Sequence, residues 1–245
     1  MHIDNVNKPD KVVVDKLVNR RWTIIFHLLF SLVGIIFSGM VSIITRKWVI
    51  LIVNIVCVFL LWLYSTRYKK RLLIGNILIA AMTAWVILVV YFFAGASLLN
   101  VKGWTLHIYP YNIKQLFKLT MLYAGFAFVM SLIREVVKDL EDMIGDAKFK
   151  CETMPIKLGV SATKVFVAVW IIVCMVALLI IQIYAWQVGW WVSALYSVFF
   201  VVLPLFYVLK KLFQSSTPEH YHTLSNYLKL IMLFGILSML FFKII

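Results

Sequence analysis

Seven long apolar segments dominate this sequence and limit what it can fold into. They run over 22–45, 48–64, 73–95, 115–133, 162–185, 189–209 and 224–244. A helix needs roughly 20 apolar residues to cross the hydrocarbon core of a bilayer, and 64% of this 245-residue chain is hydrophobic. We therefore predict an all-α, polytopic membrane protein with seven transmembrane helices. The connecting loops are mostly short, which predicts a single domain over residues 1–245.

The basic residues predict how these helices are oriented. The chain has 24 Lys and Arg against 10 Asp and Glu, a formal net charge of +14. Seven crossings place 18 of the basic residues on the face that holds the N-terminus and 6 on the other. Lys and Arg mark cytoplasmic loops of membrane proteins. We predict a multi-pass protein of the cell membrane with a cytoplasmic N-terminus, and no nucleic-acid partner.

Half of the acidic residues lie in one short stretch, "REVVKDLEDMIGDAK" at 134–148. On a continuous helix, four of them fall within an arc of roughly 60°: Glu135, Asp139, Asp142 and Asp146. Glu141 points elsewhere. Such a face is either a solvated segment neutralised by nearby lysines or a site for a divalent cation. The second interpretation is favoured, because acidic residues at a membrane are costly and usually functional, and Mg²⁺ prefers oxygen ligands.

The same face of the membrane holds two more polar segments. An even number of crossings separates the acidic stretch from the N-terminal "MHIDNVNKPDK" and from the basic "YSTRYKKRLLIGN" at 64–76. Carboxylates, a basic loop and a helical bundle together suit a substrate with a diphosphate head and a hydrocarbon tail. Mg²⁺ would neutralise the diphosphate, and the lysines would hold it.

These motifs resemble those of the UbiA superfamily of intramembrane prenyltransferases. "REVVKDLEDMIGDAKFKCETMPIKLG" is similar to the second aspartate-rich motif of that family, with Thr153, Pro155 and Gly159 in its tail. "LYSTRYKKRLLIGN" resembles the family's basic loop, and "IDNVNKPDK" resembles the end of its first aspartate motif. The resemblance covers the whole chain.

The resemblance implies a longer fold than the seven predicted helices. Family members have nine transmembrane helices and a complete first motif. We therefore expect that the first two helices and most of that motif are missing here, with Asp4 as its surviving aspartate. Either the true start lies upstream of Met1, which we favour, or the chain is truncated. A truncated form is expected to have weak activity or none.

The resemblance also implies the chemistry and the residues that carry it. Mg²⁺ would assist ionisation of an allylic polyprenyl diphosphate, and an acceptor nucleophile would capture the prenyl group. The implied metal ligands are Asp4, Asp139, Asp142 and Asp146. Lys69 is the expected catalytic contact to the diphosphate. The other implied substrate-binding residues are Lys8, Arg67, Lys138, Asn76 and Glu135.

The acceptor is less constrained than the donor. "NKPDK" resembles the branch that prenylates geranylgeranylglyceryl phosphate, so a lipid acceptor is predicted. An aromatic quinone precursor of the hydroxybenzoate or naphthoate type is the alternative. In either case the partners are a polyprenyl diphosphate, the acceptor and the membrane lipids.

The sequence also has features that bear on functions other than enzymatic activity. A transporter would carry ionisable residues in the middle of its helices, and the segments here have almost none there. An inactive truncated homologue or a non-catalytic membrane protein is a further alternative. His220 and His222 form a potential metal pair, but we predict that they lie in a cytoplasmic loop and bind no metal.

Overall fold

The computed structural model describes residues 6–7, 18–97 and 113–243. Seven of its helices are long and apolar enough to cross a membrane. The predicted all-α fold with seven transmembrane helices is therefore confirmed. Asp4 and Lys8 lie outside the described residues.

The helices are numbered in chain order. They are α1 (Arg20–Thr45), α2 (Trp48–Thr66), α3 (Ile74–Ser97), α4 (Ile113–Glu141), α5 (Met143–Lys148), α6 (Met154–Lys157), α7 (Val160–Gln187), α8 (Trp191–Ser197), α9 (Leu203–Gln214) and α10 (Pro218–Leu237). A π-helical turn, Val198–Val202, joins α8 to α9 within one transmembrane span. Short 3-10 helices occupy Tyr68–Lys70 and Ser238–Lys243.

The chain divides into two compact units. The first contains Met1–Lys69 and Ala81–Gly125, and the second contains Lys70–Ala80 and Phe126–Ile245. Helices α3 and α4 each contribute residues to both units. The organisation as a single domain stays a prediction.

The first unit is held together by polar side chains within its apolar helices. Asn54 of α2 donates through Nδ2 to the Ser38 hydroxyl of α1 at 2.8 Å. Its Oδ1 accepts from the indole Nε1 of Trp85 in α3 at 3.0 Å. Lipid offers no driving force for apolar helices to associate, so interhelical hydrogen bonds and close packing take that role. Asn54 therefore links three helices of the first unit.

The second unit has an aliphatic core around the C-terminal half of α4. Four α4 residues, Ile133, Val136, Val137 and Leu140, are at most 1% exposed. Their spacing of i, i+3, i+4 and i+7 is that of one helical face. They pack with buried residues of α7, α9 and α10. This burial sets the rotation of α4 about its axis, and at 100° per residue Glu135 and Asp139 lie outside the buried face.

Helix α10 extends well beyond its predicted transmembrane segment, because it begins at Pro218 rather than at 224. Helix α4 continues past 133 to Glu141, in line with the predicted helical extension of the fourth segment. The Thr217 hydroxyl accepts from His220 N, and Pro218 occupies the first turn, a combination that favours a helix start. The prediction that His220 and His222 lie in a loop is therefore wrong, because both are part of α10.

Candidate active site

The acidic stretch bends at Asp142. Helix α4 ends at Glu141, and α5 begins at Met143, with Asp142 at φ −89° and ψ 3° between them. The helical hydrogen-bond pattern continues through the bend, because Asp142 N bonds to Lys138 O at 2.8 Å and Asp146 N to Asp142 O at 3.1 Å. The predicted continuous helix over 134–146 is corrected to two helices. Aspartate tolerates this sparsely populated backbone region, and both Asp142 and Gly145 are weak helix formers.

Asp139 lies at the centre of the cluster of carboxylates. It lies within electrostatic reach of Asp146, Glu135 and Asp142. Asp146 is buried, whereas Asp139 and Asp142 are half-buried. The bend therefore leaves Asp139 within electrostatic reach of each of the other three predicted residues.

A neutral side chain from another helix holds Asp139. Asn76 Nδ2 in α3 donates to Asp139 Oδ2 at 2.7 Å, and Asn76 is 9% exposed. The bond joins residues 63 positions apart within the second unit. Asn76 was predicted to bind substrate, and in the structure its amide orients this aspartate.

Two cations neutralise Glu135. Arg134 Nη1 and Lys138 Nζ each donate to Glu135 Oε1 at 2.9 Å. The Glu135 side chain is only 12% exposed, so partners are needed to offset the loss of hydration. Lys138, predicted to contact substrate, is thus engaged with Glu135.

Glu141 has a partner that sequence reasoning missed. Its Oε1 lies 2.9 Å from Nδ1 of His222 in α10, across 81 residues of sequence. The available signal was "STPEHYH", in which Thr, Pro and Glu mark the start of a helix. Recognising that start would have placed His222 on a helix, although not against Glu141.

The tail of the acidic motif is tied to the basic loop. Glu152 N donates to Lys70 O at 2.8 Å, and Cys151 N donates to Asp146 O at 2.9 Å. Thr153 precedes the one-turn helix α6, which has Pro155 in its first turn. Gly159 precedes α7 with φ 87°, a conformation that costs little only for glycine.

Two other predicted cations, Arg67 and Lys69, belong to the first unit. Arg67 follows α2, Lys69 lies in the 3-10 turn, and both side chains are exposed. Across the ranges 18–97 and 113–243, no three His, Cys, Asp or Glu side chains form a ready-made metal cluster.

Comparison with known proteins identifies the family to which the chain is similar. The UbiA prenyltransferase family matches residues 1–236. The digeranylgeranylglyceryl phosphate synthase of Methanosphaera stadtmanae is 27% identical over 239 residues, which cover 96% of this chain and 76% of the relative. The synthase of the same name from Methanococcus aeolicus is 27% identical over 240 residues, covering 97% and 75%. That from Methanopyrus kandleri is 34% identical over 158 residues, covering 64% and 49%.

A solved structure gives independent support for the fold. The work describing it is on digeranylgeranylglyceryl phosphate synthase in membranes, and the superposition has a TM-score of 0.57 at 22% identity. It covers 96% of this chain and 74% of the solved chain. With the family match over residues 1–236, the resemblance predicted from the motifs is confirmed. The chain belongs to the UbiA prenyltransferase family.

Proposed function

We propose that this prenyltransferase joins a geranylgeranyl group from its diphosphate to geranylgeranylglyceryl phosphate. The allylic C–O bond of the donor breaks with its electron pair leaving on the diphosphate. The acceptor hydroxyl oxygen forms the new ether bond, and its proton passes to solvent. The shared name of the relatives supports this choice of acceptor.

The observation that carries the proposal is the proximity of Asp139 to Asp142, Asp146 and Glu135 at the end of a transmembrane helix. So much negative charge in a small, partly buried volume calls for a cation. Hard carboxylate oxygens fit Mg²⁺, which keeps several waters and uses one or two carboxylates together with substrate phosphates. A preassembled cluster of protein ligands is therefore not required.

Each side chain has a proposed task. Asp139, Asp142 and Asp146 would hold Mg²⁺, with Asp4 as a further proposed ligand. Bound Mg²⁺ would neutralise charge on the departing diphosphate. Asn76 fixes the carboxylate of Asp139 through the 2.7 Å bond.

The proposed cationic contacts to the diphosphate are Lys69, Arg67 and Lys8. Lys138 is a weaker candidate, because contact with substrate would require it to give up its 2.9 Å bond to Glu135. Glu135 would act indirectly, by holding Arg134 and Lys138 beside the aspartates. We further propose that this chemistry takes place at the cytoplasmic face, as the distribution of basic residues favours.

Membranes containing the protein would test the proposal with labelled geranylgeranyl diphosphate. Asp139→Asn and Asp142→Asn keep side-chain size but remove a charge. Each is expected to lower Mg²⁺-dependent transfer by about 10²-fold or more, as loss of transition-state charge stabilisation does. Glu152→Gln is the matched control, because Glu152 is exposed and pairs with Lys157 at 3.4 Å.

The same assay distinguishes acceptors and functions. We expect product with geranylgeranylglyceryl phosphate and none with hydroxybenzoate or naphthoate. Transfer to the aromatic acceptors alone would reassign the acceptor. Undiminished transfer by either aspartate variant would refute its metal role.

A further inference from the structure

The contact between Glu141 and His222 joins the acidic motif to a helix that has no part in the proposed chemistry. The Glu141 side chain is 7% exposed, and His222 is 41% exposed. Toward an ionised Glu141 carboxylate, which can only accept hydrogen bonds, the imidazole donates from Nδ1. A buried carboxylate is costly unless such a donor satisfies it.

The hydrogen bond between Glu141 and His222 can affect the acidic cluster because of where Glu141 lies in the chain. Glu141 is the last residue of α4, and the bend at Asp142 follows immediately. Asp139 lies two residues before Glu141, and Asp146 follows in α5. Holding the Glu141 side chain therefore fixes the backbone from which the proposed metal ligands extend on both sides.

His222 is itself held on a rigid element. Its neighbour Tyr221 is 1% exposed and donates through its hydroxyl to Ser215 O at 3.1 Å. Lys164 Nζ of α7 donates to the same carbonyl at 2.6 Å. The first turn of α10 is thus anchored to α7 and to the α9–α10 connection, so the imidazole can act as a fixed support.

We propose that His222 is a positioning residue of the prenyl-transfer site, acting through Glu141 to set the bend that presents Asp142 and Asp146. This inference rests on the proposed function of the acidic motif. It assigns no contact between His222 and substrate or metal. Partners that orient metal-binding groups typically change metal affinity or activity about 10–100-fold when they are removed.

The test compares His222→Ala with His222→Asn in the full-length chain. The Asn side-chain amide can place a donor near the position of imidazole Nδ1, so it should restore the bond. His220→Ala is the control, because His220 lies one half-turn away, is exposed, and accepts from Ser216 N rather than contacting Glu141. Purified protein in detergent would be titrated with Mg²⁺ in the presence of inorganic diphosphate, with the rise in melting temperature as the readout.

His222→Ala is expected to raise the Mg²⁺ concentration at half-maximal stabilisation about tenfold. His222→Asn should return it to within about twofold of wild type, and His220→Ala should match wild type. In a Glu141→Ala background, His222→Ala should have no further effect, because the two residues act as one unit. The midpoint of Mg²⁺-dependent prenyl transfer should follow the same order.

An unchanged Mg²⁺ midpoint in His222→Ala would overturn the inference, as would failure of Asn to restore it or full additivity with Glu141→Ala. A drop in melting temperature without Mg²⁺ and no change in midpoint would mean that the bond serves stability alone, which also overturns it. The proposed function fails separately, through undiminished transfer by Asp139→Asn or Asp142→Asn. If those variants lose activity and His222→Ala keeps the wild-type midpoint, only the positioning role is lost.

Discussion

Single hydrogen bonds decide how the acidic residues of α4 are presented. Asp139 accepts a hydrogen bond from Asn76, and Glu141 is hydrogen-bonded to His222. Glu135 accepts hydrogen bonds from Arg134 and Lys138. The Asn76 amide carries no charge, unlike Arg134 and Lys138. A neutral donor can orient a carboxylate without competing with a cation for its charge.

Replacing Asn76 should therefore weaken catalysis more than it weakens the fold. Asn76→Ala removes the donor at 2.7 Å from Asp139 Oδ2 and is expected to lower prenyl transfer about 10–100-fold. Asn76→Asp should be at least as damaging, because it adds a like charge beside Asp139. Initial rates of transfer at several Mg²⁺ concentrations would measure both effects.

Asn226→Ala is the control for Asn76, because Asn226 is exposed and accepts from Lys229 of its own helix at 3.2 Å. Its transfer rate should equal that of wild type. Wild-type rates in Asn76→Ala would show that Asp139 needs no support from α3.

Among the helices, α1, α2 and α3 depend on a few polar contacts inside lipid. Asn54 provides two of them, to Ser38 and Trp85. Apolar side chains contribute less here than they would in water, because surrounding lipid is equally apolar. Removal of the Asn54 side-chain amide is thus expected to weaken the contacts among all three helices.

Asn54→Leu should destabilise the first unit. We expect a loss of about 1–2 kcal/mol in the free energy of unfolding, since interhelical hydrogen bonds in membranes contribute roughly 0.6 kcal/mol each and at most about 1.7. Unfolding of the purified protein in mixed detergent micelles would measure it. Thr66→Val is the comparison, because the Thr66 hydroxyl bonds only to carbonyls of its own helix. Equal stability of Asn54→Leu and wild type would contradict a linking role for this amide.

For the whole molecule, the asymmetry of Lys and Arg predicts orientation across the membrane. The Arg46–Lys47 turn and the segment around Glu152 are expected on opposite faces, with Glu152 on the cytoplasmic side. The bias of basic residues sets the orientation of membrane proteins because they are retained in the cytoplasm.

Cysteine labelling would test this orientation after replacement of Cys57, Cys151 and Cys174 by alanine. A membrane-impermeant thiol reagent added to intact cells should label Lys47→Cys and leave Glu152→Cys unlabelled. Permeabilised cells should show both labelled, which controls for reactivity. Labelling of Glu152→Cys in intact cells would place the acidic motif on the outer face.

Much of this molecule could be predicted because the relevant signals are local. Seven apolar segments predicted the seven membrane-spanning helices found among the described residues, since crossing a bilayer depends on the length and hydropathy of each segment. The spacing of Glu135, Asp139, Asp142 and Asp146 predicted their proximity, since residues three and four apart share a helical face. The motif in 134–159 carried enough identity to indicate the family.

The partners of the acidic residues could not be predicted, because helix packing determines them. The bonds from Asn76 to Asp139 and from His222 to Glu141 span 63 and 81 residues, and nothing in the local pattern pairs them. They form because the buried aliphatic face of α4 sets its rotation and depth against α7, α9 and α10. The sequence by itself determined where the charge is concentrated and that it lies at the end of a membrane helix. Only the tertiary structure determined which side chains hold that charge in place, because such partners are chosen by the packing of apolar surfaces elsewhere in the chain.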